Sequence, residues 1–308
     1  MKLASSLIAE IRAGARQLVR EWNLLEGAFL DTGCNYSQCH ALFELAQNGA
    51  LSTIQLSKSL LLDKSTTSRL LSNLLSKDLV KVQKDTADRR QKWYSLTEAG
   101  RLILERNNGL ADQQVEEALQ ILSSDEQEKV REGLNLYSKA LNRNRLQLAY
   151  SIRPIQAEDS PVVAHIIRQV MAEFDTVGEG YSSEDREIDD MYSAYDSPRH
   201  VFYVIEKDGR ILGCGGIGSL PGEEQDICEL KKMYFLPELR GMGLGKKLVL
   251  QCLDDARRLG YRSCYLETVD RMWQANRLYQ QMGFKKLESR CGDTGHCSCD
   301  AYYALMLR

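Results

Sequence analysis

The chain has 308 residues, 43% of them hydrophobic, and 40 Lys and Arg against 43 Asp and Glu leave a net charge of −3. That length suggests two domains, and the composition is ordinary for a soluble protein. No window approaches about 18 consecutive apolar residues, so no membrane span is expected. Nine cysteines without a framework spacing point to reduced thiols in a cytoplasm.

The chain opens on Met1-Lys-Leu-Ala-Ser-Ser-Leu-Ile8, which resembles a signal peptide only until Glu10, Arg12 and Arg16 interrupt it at helical spacing. The spacing predicts an amphipathic helix over 5–30, with Leu7, Ile8, Ile11, Leu18, Leu24 and Leu25 as its apolar stripe. Charge is unevenly placed further on. Residues 1–148 carry 20 basic against 18 acidic side chains, the other 160 carry 20 against 25, and Ser52–Lys92 alone holds nine against four. A basic island in an acidic chain suits contact with a polyanion, although a solvated face would also explain it.

The pattern within the island is more specific. Thr53–Leu60 reads as a short helix, Leu61-Leu62 as a tight link, and Asp63 as the N-cap of a helix over Lys64–Ser76. That helix places Leu70, Leu71, Leu74 and Leu75 on one face and Ser65, Thr66, Ser68 and Arg69 on another. Two short helices, the second with a polar N-terminal half, suit a helix entering the major groove. A strand Leu79–Val82, a charged tip Gln83–Lys92 and a return strand Trp93–Leu96 follow, and Thr97-Glu-Ala-Gly-Arg101 opens another helix. Helices over 98–122 and 125–148 complete this half.

This order resembles the MarR family of winged-helix transcriptional regulators, on Asp63-Lys-Ser-Thr-Thr-Ser-Arg69, Asp88-x-Arg90 and Leu96-Thr97-x-x-Gly100. The resemblance implies a mostly α winged helix-turn-helix domain over 1–148 that binds double-stranded DNA. It places Lys64, Ser65, Thr66, Ser68 and Arg69 on the duplex, Arg90 in the minor groove with Asp88 bracing the wing, and Arg89 as a second wing candidate. Lys64, Lys81, Lys84 and Lys92 suit sequence-independent phosphate contacts. Dimerisation through the terminal helices would match a pseudo-palindromic operator; intramolecular burial of the same leucines is the other reading. Cys34 and Cys39 lie where such proteins bind ligands or sense oxidants.

No Pro/Gly/Ser linker separates the halves near Leu148-Ala-Tyr150. The second half reads as a strand 151–155, a helix 158–171 and an acidic loop or helix 176–190. Strands 200–207 and 210–217 join through Lys207-Asp-Gly-Arg210, and a strand 227–235 follows. Arg240-Gly-Met-Gly-Leu-Gly245 then leads into a helix 243–259. Glycine loop plus helix N-terminus forms a pyrophosphate cradle. Its glycines have the wrong spacing for a dinucleotide fold, and Lys247 stands where a P-loop needs Ser or Thr. A strand 263–267, a helix 272–282, a strand 284–289 and a strand 301–307 complete a mixed α/β sheet.

Arg240-x-x-Gly243-x-Gly245, together with Ala275, Leu278, Tyr279, Gly283 and Phe284, resembles the two signatures of the GNAT N-acetyltransferases, over roughly 151–308. The resemblance implies a GNAT acyltransferase domain over 149–308 that takes acetyl-CoA and an amine acceptor, a small molecule or a protein lysine, with no metal. The backbone of Arg240, Gly241, Met242, Gly243, Leu244, Gly245 and Lys246 would hold the pyrophosphate. That of Met233, Tyr234 and Phe235 would meet the pantetheine arm. Tyr279 matches the tyrosine that protonates coenzyme A. Met272 replaces an asparagine that many members use on the pantetheine, which would leave that contact to Asn276. Amine attack on a thioester needs a base; Glu229, on the strand entering the site, is the candidate if its side chain faces inward.

The acidic segment 173–190 would line the acceptor cleft and favour a cationic acceptor. Cys291-Gly-Asp-Thr-Gly-His-Cys-Ser-Cys299 has zinc-ligand residue types, but His296-Cys297-x-Cys299 is too cramped for a closed site. A turn with His296 near the acceptor fits better. Two function classes stay open. One is a bifunctional regulator and N-acetyltransferase. The other is a regulator whose GNAT-like half senses acetyl-CoA without turnover.

Overall fold

The computed structural model describes residues 4–25, 33–84, 92–223 and 226–307, which form two compact units, Met1–Arg131 and Glu132–Arg308. Asp88, Arg89 and Arg90, and residues 26–30 of the helix expected over 5–30, lie outside the described residues; that helix ends earlier than expected, at Glu21, with residues 22–25 in a turn.

The first unit contains α1 (Ser5–Glu21), α2 (Tyr36–Asn48), β1 (Leu51–Ser52), α3 (Thr53–Leu60), α4 (Lys64–Ser76), β2 (Val80–Lys84), β3 (Lys92–Leu96) and α5 (Glu98–Gln120). It also contains the start of α6 (Ser124–Gln147). The sequence reading did not place α2. Its N-cap Asn35 and Gln38 form a reciprocal capping box, and Ala41, Leu42 and Leu45 enter the core. Leu61, with φ +55°, turns the chain between α3 and α4. Thr67, Leu70, Leu71 and Leu74 of α4 are buried, Thr67 with its hydroxyl donating to Asp63 O at 2.9 Å. Antiparallel pairing in the order β1-β3-β2 makes the wing.

Thr97 and Gly100 tie the wing to α5. Thr97 Oγ1 donates to Asp78 O at 2.6 Å and accepts from Gly100 N at 3.0 Å, while Thr97 N donates to Leu79 O at 3.1 Å. A methyl at Gly100 would stand 2.0 Å from Leu79 O, so only glycine fits. No α1 residue is buried, and Leu7, Ile8, Ile11 and Leu18 remain exposed apolar side chains.

The second unit takes the rest of α6, then β4 (Ser151–Pro154), α7 (Ser160–Glu173), 3₁₀ turns at Ser182–Glu184 and Arg186–Asp190, and α8 (Met191–Ala194). Next come β5 (Val201–Lys207), β6 (Arg210–Ser219), β7 (Ile227–Phe235), α9 (Leu244–Arg258) and β8 (Ser263–Thr268). The chain continues through α10 (Trp273–Gln281), β9 (Lys285–Leu287) and β10 (Ala301–Met306). The seven strands run β4-β5-β6-β7-β8-β10-β9. Only β7 and β8 pair in parallel, and only over Ile227↔Ser263, Cys228↔Cys264 and Glu229↔Tyr265. Beyond those rows the strands part. β7 also carries a bulge. Lys232 and Met233 fall between the rows Gly216↔Lys231 and Cys214↔Tyr234, and Lys232 takes φ +57°. Helices α7 and α9 share one apolar core with this sheet, including Ile166, Ile167, Val204, Ile205, Leu248 and Leu253.

All nine cysteines are free thiols, and no helix among the described residues is long and apolar enough to cross a membrane. Gly100→Ala is expected to destabilise the first unit by about 2 kcal/mol or more, the cost of forcing atoms into a filled site. A lower urea midpoint and faster amide exchange in β2 and β3 would report it; an unchanged midpoint would contradict the close approach.

Candidate functional site

A cleft opens where β7 and β8 part. Its lining includes Glu229, Leu230, Lys231, Lys232, Met233 and Tyr234 from β7, and Glu267 and Thr268 from β8. Met171, Tyr181, Ser182, Met272, Tyr279, His296 and Cys299 close it from other elements. Glu229 faces inward, 3% exposed, with Lys231 Nζ 4.0 Å from its Oε2. Burial raises its pKa above the ordinary glutamate value. Tyr279 is buried, and loss of solvent pushes its phenol pKa well up, which keeps it a proton donor. Tyr234 shares a 3.1 Å hydrogen bond with Ser182 Oγ, and burial raises its pKa too.

The buried charges form one network. Lys232, its side chain 1% exposed, pairs with Asp185 and, at 3.1 Å, with Glu187 Oε1. Lys231 Nζ lies 3.4 Å from Glu187 Oε2. His296 Nε2 meets Asp185 Oδ2 at 2.9 Å, and its Nδ1 stands 3.7 Å from Glu267 Oε2. Burial opposes a charge on His296, but the hydrogen bond to Asp185 and the Glu267 carboxylate nearby outweigh it and lift the pKa to about 9. Burial likewise opposes charge on Asp185, yet His296 and Lys232 hold its pKa below the usual value. Glu267 Oε1 accepts from Tyr265 at 2.8 Å and Thr294 at 3.0 Å, while its buried Oε2 has no hydrogen bond. Four carboxylates thus face Lys231, Lys232 and a protonated His296, one negative charge in excess, which fits a proton or a ligand cation at Glu229.

The glycine loop lies at the other end of β7. Gly241 and Gly243 adopt φ +73° and +80°, and Gly243 is the N-cap of α9. The first backbone donor of this stretch to find a partner is Lys247 N, 3.1 Å from Gly243 O. Among the described residues the N–H groups from Gly241 to Lys246 donate no hydrogen bond, so they fit an anion such as a diphosphate. A methyl at Gly245 would press on the Phe235 ring at 3.2 Å. Leu244 is buried, which leaves only its backbone available, and Lys246 is exposed.

Other sequence-predicted residues are committed elsewhere. Arg240 forms a fork with Glu173, its NH2 to Oε2 at 2.7 Å, and its Nε donates to Phe235 O at 2.9 Å. Asn276 Nδ2 donates to Val269 O at 2.9 Å and Met272 O at 3.1 Å, so its amide braces the turn after β8 rather than lining the cleft, which Met272 does. The segment Cys291–Cys299 is bent and turned, and among the described residues no group of three His, Cys, Asp or Glu could hold a metal. Sequence reasoning missed Lys232 and Glu267 and placed Asp185 only as part of the acidic segment 173–190; the signal for Lys232 was a lysine pair beside Glu229 in a mostly apolar strand.

In the first unit Asp63 caps α4. It accepts from Thr66 N at 2.8 Å, Ser65 Oγ at 2.6 Å and Thr66 Oγ1 at 2.7 Å. The Ser65 hydroxyl, then the two groups of Thr66, hold its pKa far below the carboxylate range. Arg69 NH2 donates to Thr66 Oγ1 at 3.2 Å. Lys64, Ser65, Ser68 and Arg69 are exposed on one surface and Thr66 is half-buried beside them.

A winged helix-turn-helix unit followed by a mixed sheet with a splayed pair, a glycine loop and an acidic cleft is the architecture of a winged-helix region joined to an N-acetyltransferase domain. The chain belongs to the GNAT family of N-acetyltransferases and carries a MarR-family region ahead of it. The Acetyltransferase (GNAT) family pattern matches residues 166–284, and the MarR family pattern matches 34–92. The uncharacterized N-acetyltransferase YjgM of Escherichia coli (strain K12) is 44% identical over 150 residues, which span 48% of this chain and 90% of that protein. A GNAT-family acetyltransferase structure from Staphylococcus aureus Mu50 aligns at 18% identity over 52% of this chain and all of its own, with a TM-score of 0.44. The regulator BpsR of Bordetella bronchiseptica aligns at 24% over 43% of this chain and 98% of its own, with a TM-score of 0.37. GNAT enzymes use acetyl-CoA, and MarR regulators bind DNA.

His296 has a raised folded-state pKa, so its contribution to stability is full below pH about 6.5 and is lost as pH rises through about 9. The difference in melting temperature between wild type and His296→Ala is expected to shrink between those values. A difference that persists above pH 10 would show that the interaction does not depend on the imidazolium.

Proposed function

We propose that the protein is a bifunctional DNA-binding regulator and N-acetyltransferase. Residues 149–308 transfer an acetyl group to a cationic amine by direct attack, and residues 1–148 bind double-stranded DNA. The observation that carries the enzymatic reading is the buried Glu229 carboxylate, its pKa raised, in a cleft that also presents the Tyr279 phenol.

Bound acetyl-CoA supplies a thioester carbonyl as the electrophile. The N–H groups of Gly241 to Lys246 hold its diphosphate. The bulge at Lys232 and Met233 frees β7 backbone groups beside the thioester, where a donor lowers the barrier as negative charge develops on oxygen. The acceptor enters as an ammonium ion, drawn by the excess negative charge around Glu229 and Glu267. Glu229 takes its proton and leaves a neutral amine. Tyr279, held neutral by burial, gives a proton to the departing sulfur and regains one from the attacking nitrogen as the amide forms, while Glu229 returns its proton to solvent after release. A small amine or a lysine side chain meets these needs.

In the first half, Lys64, Ser65, Thr66, Ser68 and Arg69 form the face of α4 that meets the duplex, and Arg89 and Arg90 belong to the wing. The exposed stripe of α1 supports a homodimer through the N-terminal part, which would set two such faces on a pseudo-palindromic site. Nine free thiols suit a reducing cytoplasm.

Coenzyme A release across a panel of amines and lysine peptides tests the enzymatic half. Tyr279→Phe and Glu229→Gln are each expected to lower kcat/KM by about a hundredfold or more, the lower end of the range for general acid and base groups. The acidic limb of the wild-type pH profile should lie above the ordinary glutamate range and vanish in Glu229→Gln. Saturable acetyl-CoA binding without turnover on any acceptor would favour a sensor. For the DNA half, Arg69→Ala should weaken binding and reduce the slope of log K against log salt by about one unit. An unchanged slope would remove Arg69 from the phosphate contacts.

A further inference from the structure

The glycine loop is also held from α6, which lies outside residues 166–284. Gln147, the last residue of α6, donates from Nε2 to Met242 O at 2.7 Å. Arg143 lies one helical turn earlier on the same stripe. A methyl at Gly243 would stand 2.9 Å from Gln147 Nε2 and 3.1 Å from Arg143 Cδ. Glycine is thus required at 243 twice over, for φ +80° and for the approach of α6. Residues 132–147 of α6 and the loop belong to the same compact unit.

The Gln147 bond fixes one peptide plane. In a trans peptide the C=O and the following N–H point in opposite directions. Turning Met242 C=O onto Gln147 therefore turns Gly243 N–H away from α6. With glycines on both sides of Met242, nothing local stops that plane from flipping, and a flip would replace a donor by a carbonyl oxygen in the anion cradle.

We infer that Gln147 and Arg143 are positioning residues for acetyl-CoA, and that α6 sets the phosphate-binding form of the loop. This rests on the coenzyme reading of the loop given above. Linkage makes the effect reciprocal: whatever α6 adds to coenzyme affinity, bound coenzyme returns to the packing of α6.

The test uses the full chain. Acetyl-CoA binding is measured by calorimetry for wild type, Gln147→Leu, Gln147→Lys and Arg143→Ala, beside KM and kcat. Losing one hydrogen bond is expected to raise Kd and KM of Gln147→Leu about two- to tenfold with kcat held. Gln147→Lys, which restores a long donor, should recover most of the loss, and Arg143→Ala, which leaves the Gln147 bond in place, should raise Kd less. Acetyl-CoA should slow amide exchange over residues 136–147 in wild type and not in Gln147→Leu. Wild-type Kd in both Gln147→Leu and Arg143→Ala, or a fall in kcat alone, would overturn the inference. No acetyl-CoA binding by the wild type would instead overturn the coenzyme reading beneath it.

Discussion

The second unit depends on the parting of two strands. β7 and β8 share three parallel rows and then diverge, because the bulge at Lys232 bends β7 out of register with its other neighbour, β6. A non-glycine residue at φ +57° costs roughly 1–2 kcal/mol and persists only where its surroundings hold it. Here the holding force is visible. The Lys232 ammonium is buried against Asp185 and Glu187, and relaxing the bulge would take it from both carboxylates and leave its own charge buried without them. The same distortion opens the cleft, sets Glu229 in the crotch, and puts Tyr234 on one arm and Glu267 on the other.

The acidic segment and the turn before β10 follow from that arrangement. Asp185 meets both Lys232 and His296, so it ties β7 to a histidine that lies 111 residues after Asp185 in sequence. Without His296 the carboxylates of Asp185 and Glu267 would face each other across a poorly solvated space. With it the network still carries one negative charge too many. Glu229 is deeply buried and has only Lys231, at 4.0 Å, as a near cation and no hydrogen bond to it, so burial wins and its pKa rises, whereas hydrogen bonds to His296 and Lys232 pull that of Asp185 down although it too is buried.

Much of this was legible in the sequence, and the reason is locality. Asp63 announces α4 because a cap acts over three residues. Thr97 and Gly100 announce the start of α5 for the same reason. The glycine loop is readable because its left-handed turns and the helix behind it are contiguous. β7 matched its expected span of 227–235, since a buried strand shows in its own side chains. The inward aim of Glu229 and the bend at Lys232 were not legible. Side-chain parity along β7 reverses at a bulge, and a bulge is set by neighbouring strands. The His296–Asp185 contact was out of reach because nothing near either residue specifies it. The helix α2 was missed although its capping box Asn35-x-x-Gln38 is local and visible; its apolar positions are few and its stripe is weak.

The two units offer their ligands different kinds of leftover capacity. Around Gly241 to Lys246 the unspent groups are donors, which suits phosphate oxygens and nothing cationic. On α4 the Ser65 and Thr66 hydroxyl donors are already spent. Ser65 and Thr66 both give their protons to Asp63, and Thr66 also receives one from Arg69. A hydroxyl has one proton and two lone pairs. With the cap intact, the proposed contact of these two side chains with a duplex would be as acceptors, matched to the exocyclic amino groups of adenine and cytosine in the major groove. Donation to a guanine or thymine oxygen would first require breaking the bond to Asp63, which would weaken the start of the helix that carries them. The cap that orders α4 therefore also biases what α4 can read.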